Sequence, residues 1–177
     1  MPLDENTVCF PNNIVNVLAE ALKSIDPDEN VGQPNYYEGV RIYKRPLDTA
    51  DGDRSVSVVA VNWRPVMSSK EMGKTAEPIL QEYYVVIQVM VQDGEEQRAI
   101  ATHSLLSTRV RHMLYRSEAL AVVLPQLEVV FGSIGGVTLK EKLVKWDVTT
   151  QNFMNHELGG MFVYLASLEL RFTTTIV

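Results

Sequence analysis

The chain has 177 residues, 46% hydrophobic and 21% charged, with a net charge of −6, the balance of an ordinary folded domain and not of a disordered chain. An acidic protein of this kind is not built to grip nucleic-acid phosphates, although it suits a conduit along which DNA slides. Cys9 is the one cysteine, which leaves no internal disulfide and no cysteine-based zinc site and fits a reducing compartment.

Residues 1–12 read as an irregular lead-in that opens Met-Pro-Leu-Asp-Glu, without the basic and apolar regions of a signal peptide. Asn12 or Asn13 is the expected N-cap of a first helix. Ile14, Val17, Leu18, Ala21, Leu22 and Ile25 lie on one stripe of it, and Asp26-Pro27-Asp28 ends it. The exposed side of this segment is acidic, with Asp4, Glu5, Glu20, Asp26, Asp28 and Glu29 against Lys23 alone. A loop over 30–36 leads to a strand over 37–45. Asp51-Gly52-Asp53 then signals a turn before the alternating strand Ser55–Trp63. The two strands read as a hairpin with a long tip. A second long connection, Arg64 to Glu77, carries Lys70 and Lys74 and little periodicity, and connections of this length are where partner contacts tend to sit.

The clearest unit runs from Leu80 to Arg116. Tyr83, Val85, Ile87, Val89 and Val91 share one face of a strand built from β-branched and aromatic residues. Asp93-Gly94 breaks it, and Glu95-Glu96 opens a helix with negative charge at its positive end. Ala99, His103, Leu106, Val110 and Met113 mark the inner stripe of that helix, and Arg109, Arg111 and Arg116 sit in its last turns. A short helix through Val123 stops at Pro125, and an apolar run Leu127–Phe131 follows. Gly135-Gly136 turns into a strand over 137–148. Thr149–Gly160 reads as a polar loop or turn of helix. The closing strand places Phe162, Tyr164, Ala166, Leu168, Leu170 and Phe172 on one side. The expected fold is α+β: a mixed or mostly antiparallel sheet, with the long helix and the N-terminal helix packed on it, in one domain spanning 1–177. No run approaches the roughly 20 apolar residues of a membrane helix.

None of the polar clusters converges on chemistry. Glu96 and His103 share one side of the long helix, but His103 falls on its apolar stripe, where a packed histidine is expected. His156 and Glu157 fall short of the three or four ligands a metal requires. Asp48, Asp51 and Asp53 lack the acid six places beyond the loop glycine that closes a calcium loop, since position 58 is Val, and they read as a solvated tip. Gly132, Gly135 and Gly136 are not followed by the Lys-Ser or the helix of a phosphate loop. The sequence therefore gives no catalytic residue, no metal ligand and no cofactor site.

Three segments carry a resemblance. They are the strand Glu82-Tyr-Tyr-Val-Val-Ile-Gln-Val-Met-Val, the helix with Leu105-Leu106 and Arg109-Val110-Arg111, and the closing strand Leu165-Ala-Ser-Leu-Glu-Leu-Arg-Phe; the Trp63-Arg64-Pro65 approach is of the same kind. In element order and character from about Ile14 onward, the chain resembles the tail terminator proteins of long-tailed bacteriophages. The resemblance implies a structural virion protein with an α/β subunit that forms a homo-oligomeric ring, commonly of six. Such a ring binds the head-proximal end of a finished tail tube, stops its growth and meets the head–tail connector protein. DNA passes through the lumen without specific binding, and no cofactor or membrane is involved. The residues expected to make assembly contacts are Trp63, Arg64, Lys70, Lys74, Asp51 and Asp53. Other phage ring parts, a connector or a tube subunit, share such subunits. A reading of another class is a small ligand-binding or enzymatic domain with a pocket near His156, Glu157 and Trp146.

Overall fold

The computed structural model describes residues 10–23, 40–66, 79–116 and 118–177. In chain order the elements are α1 (Phe10–Lys23), β1 (Arg41–Tyr43), β2 (Arg54–Val66), β3 (Ile79–Asp93), α2 (Glu96–Arg116), α3 (Glu118–Val123), β4 (Glu128–Ile134), β5 (Val137–Leu158) and β6 (Met161–Ile176). The strands form one sheet in the order β1-β2-β3-β6-β5-β4. Every neighbouring pair is antiparallel except β1 with β2. The expected α+β fold, with two helices packed on a mostly antiparallel sheet, is the one observed.

The alternation in β3 fixes which face the helices cover. Tyr83, Val85, Ile87, Val89 and Val91 are all buried, and their partners Phe172, Leu170, Leu168, Ala166 and Tyr164 on β6 face the same side. Against this face α2 sets Ala99, Leu106, Val110 and Met113, and α1 sets Ile14, Leu18 and Leu22. The helix stripes and the strand face have matching periods, so one apolar layer closes between them.

Three expectations change. First, α1 begins at Phe10, not after Asn12 or Asn13. Pro11 costs nothing in a first turn, where its missing N–H has no intrahelical acceptor, and Phe10 stacks on Tyr83 at 5.9 Å. Second, β1 and β2 are not a hairpin, because they run parallel, with Arg41 opposite Ser55 and Tyr43 opposite Ser57. The segment between them folds onto the uncovered face of β2 and β3. Leu47 N donates to Gln88 Oε1 at 3.1 Å, and Gln92 Nε2 donates to Thr49 O at 2.7 Å. Asp51 is not a solvated tip but a buried clasp: its carboxylate accepts from Asp48 N at 2.6 Å and pairs with Arg45. The Arg45 hydrogen bonds, with that from the Asp48 amide, hold the Asp51 carboxyl below its ordinary range.

Third, residues 149–158 are strand. β5 runs unbroken to Leu158 and returns as β6 through Gly159-Gly160, with φ of 60° and 79°. Positive φ at both central positions is what a two-residue hairpin turn of the right twist requires, and only glycine adopts it freely. Arg64, Pro65 and Val66 likewise belong to β2 and not to a loop. Lys70 and Lys74 lie outside the described residues.

The centre of the apolar layer sets the expected response to truncation. Phe172 is wholly buried, stacked on Trp146 at 6.2 Å and opposite Tyr83. Phe172→Ala is expected to cost about 3–5 kcal/mol of unfolding free energy, measurable by urea denaturation. A cost under about 1 kcal/mol would mean that the core does not depend on this layer.

Candidate assembly surface

Both ends of the sheet are only partly closed. β1 pairs with β2 along Ser55–Ser57 alone, so the outer edge of β2 from Val58 onward has no strand neighbour among the described residues. β4 pairs with β5 as far as Lys142, so the outer edge of β5 from Val144 to Leu158 has none either. A strand edge in this state presents a row of backbone donors and acceptors ready to pair with another chain. Large apolar side chains stand exposed along both edges, among charged ones such as Arg64 and Lys145. Val61 and Trp63 on β2 are each 52% exposed, and Val144, Phe153, Met154 and Leu158 on β5 lie between 53% and 58%. Bulges at Val61, Val144 and Thr149 interrupt the ladders of both edge strands and increase their twist.

A line of alternating charge crosses the uncovered face between these two edges. Arg64 on β2 pairs with Glu82 on β3 at 2.7 Å, and Arg171 on β6 approaches Glu82 at 3.8 Å. Arg171 grips Asp147 on β5 with Nη2 and Nε at 2.7 and 3.1 Å. Tyr84 donates its hydroxyl to Glu82 at 3.0 Å beneath the Arg64 guanidinium. Burial pushes the Glu82 carboxyl up, but hydrogen bonds from Arg64 and Tyr84 and the two arginine charges outweigh it, so Glu82 titrates below the ordinary 4.5. Asp147 is lowered chiefly by its hydrogen bonds from Arg171. Each charge thus has an opposite neighbour until the line ends, with a cation on β2 and an anion on β5.

On the covered face, α2 and β5 leave a groove between them. One part, about 280 Å³, is lined by Ile100, His103, Ser107, Arg111, Phe153 and Tyr164. His103 packs edge-on to Phe153 at 5.5 Å. Its imidazole is pushed down by burial, against a raising hydrogen bond with the Val89 backbone, and so stays neutral. Further along, Trp146 stacks between Tyr115 at 6.1 Å and Phe172. This is aromatic packing that ties β5 to α2; the hydroxyls of Ser104 and Ser107 line the groove with His103, and no carboxylate does.

Of the residues expected to make assembly contacts, Trp63 and Arg64 stand on the free edge of β2, where Trp63 Nε1 donates to Gln81 Oε1 at 2.7 Å. Asp53 is exposed in a cleft of about 700 Å³ with Arg41, Arg54, Asp93 and Arg98, at the far end of the sheet. Arg98 there is committed to Asp93 through two bonds of 2.6 Å. The pocket imagined around His156, Glu157 and Trp146 does not form. His156 and Glu157 are exposed, and Trp146 stands ten residues back along the same strand, roughly 33 Å away at 3.3 Å per residue. No group of three potential metal ligands occurs among the described residues, and no helix there is long and apolar enough to cross a membrane. Glu82, Asp147 and Arg171 escaped the sequence reading, because only the register of four strands brings them into line.

The charge line predicts acid sensitivity. Its carboxylates titrate lower in the folded state than in the unfolded one. Their contribution is therefore complete above the unfolded values near pH 4–4.5 and is lost as pH falls through the lowered folded values. Glu82→Gln is expected to cost about 2 kcal/mol at pH 7 and to narrow the gap between unfolding free energies at pH 7 and pH 3. Denaturant titrations at the two pH values measure it, and an unchanged gap would contradict the role given to Glu82.

Set beside known proteins, the chain matches no protein-family model and no curated protein. Among solved structures, a chain of the virion of the native gene transfer agent particle is 15% identical, with a TM-score of 0.37, over 89% of this chain and 94% of that one. A second solved chain is 12% identical, with a TM-score of 0.31, over the same shares. Likenesses this distant assign no role.

Proposed function

We propose that the protein is a structural virion component that closes into a ring and caps the head-proximal end of a phage tail tube. The observation that carries this reading is the pair of strand edges, on β2 beyond β1 and on β5 beyond β4, that have no strand neighbour among the described residues. A subunit with two different sticky ends forms head-to-tail contacts, and such contacts give a ring when the rotation per copy closes. The resemblance of the strand at Glu82, the helix at Arg109 and the closing strand at Leu165 to tail terminators supplies the particular role. In that role the ring, commonly of six, stops tube growth, presents a surface to the head–tail connector and lets DNA pass. The net charge of −6 suits a lumen that repels phosphate.

Electron microscopy of the purified protein, alone and added to polymerising tail tube subunits, tests the proposal. The expected images show discrete rings of one size, and tubes whose growth stops where a ring sits. Continuous tubes built from this protein alone would favour a tube subunit, and isolated monomers would remove the structural reading.

A further inference from the structure

Resting on the ring reading, we propose which surfaces join: β5 before Met154 in one copy pairs antiparallel with β2 beyond Ser57 in the next, Asp147 opposite Arg64 and clear of the Ser55–Ser57 stretch that β1 holds, so that one sheet continues around the ring.

Strand polarity is the first support. β2, β3, β6 and β5 alternate in direction, so β2 and β5 run opposite ways. Copies related by rotation about a ring axis keep one orientation, and β5 beside the β2 of the next copy therefore continues the alternation. The faces agree as well. Trp63 shares the helix-covered side with Tyr83, as Val148 does with Leu170, while Arg64 and Asp147 share the other side with Glu82 and Arg171.

Charge fixes the register. Arg64, Glu82, Thr173 and Lys145 stand at one level across the sheet, and Asn62, Tyr84, Arg171 and Asp147 at the next. An unstaggered joint would set Lys145 against Arg64 of the neighbouring copy, two like charges face to face. A stagger of two residues carries Lys145 past Arg64 to the level of Val66 and sets Asp147 against it. The charge line then runs plus, minus, plus, minus through each subunit and across every joint. The same stagger lays the half-exposed Trp63 of the second copy over Val148, and curved, closing sheets require stagger in any case.

A charge-swap mixing experiment reads this directly. Asp147→Arg and Arg64→Asp should each abolish rings, by placing like charges at the joint. Mixed in equal amounts they should restore rings. The arginine introduced on β5 of one variant then meets the aspartate introduced on β2 of the other, and the alternate joint is wild-type. Rings from either variant alone at the wild-type concentration would overturn the pairing. Hydrogen exchange on the wild-type protein decides the matter even where a variant fails to fold. Amides in 58–64 and 144–151 should slow at least tenfold in the assembled form relative to the dilute subunit. Rings with these amides unprotected would remove the proposed joint and leave the ring reading standing. No assembly at any concentration would remove both.

Discussion

The subunit depends first on the pairing of β3 with β6. It runs without a break from Ile79 opposite Ile176 to Asp93 opposite Phe162, and it is the only long ladder in the sheet free of bulges among the described residues. Both helices close on the apolar face that this pair creates, and β2 and β5 are hung on its two sides. A slip of one residue would turn Leu168, Leu170 and Phe172 out of the core at a stroke, so burial itself enforces the register. That same register places Arg171 within reach of Glu82 and Asp147.

The two faces of the sheet are stabilised by different means. The helix face is apolar at its centre, where α1 and α2 cover β3 and β6. The other face is polar and is closed only in part, over β2 and β3, by the segment that Asp48 and Asp51 fold into a single 3₁₀ turn. Beyond that segment the face relies on ion pairs. Exposed ion pairs contribute little, but here Glu82 is nearly buried and is held from three sides. Ionic contacts of this kind specify alignment more than they add stability, which is the property wanted where strands must stop in register at an open edge.

Local patterns with a single period were legible in the sequence: the alternation of Tyr83–Val91, the stripe from Ala99 to Met113, the turn at Gly135-Gly136, the closing strand. They give the fold class because periodicity reports burial, and burial decides layers. The readings that failed concern partners distant in sequence. Asp51-Gly52-Asp53 carries the composition of a hairpin tip, yet Arg45 and the Asp48 amide draw Asp51 inward and let β1 run parallel to β2. Thr149–Leu158 looks like a loop because it is polar on both faces. It is a strand because β6 offers it a ladder, and the sequence signal for that is the Gly159-Gly160 turn. The candidate surface is half visible in the sequence, through Trp63 and Arg64. Asp147, their proposed counterpart in the next copy, belongs to the opposite end of the sheet and could be found only once the strand order was known.

The central claim is that the sheet, which leaves β2 and β5 partly unpaired among the described residues, is completed by copies of itself in a closed ring. Sedimentation equilibrium of the whole chain across a wide concentration range tests it most directly. The account predicts one dominant assembled species, its mass a fixed multiple of 19.9 kDa that does not grow as concentration rises. A monomer at every concentration, or masses that climb without limit, would contradict it.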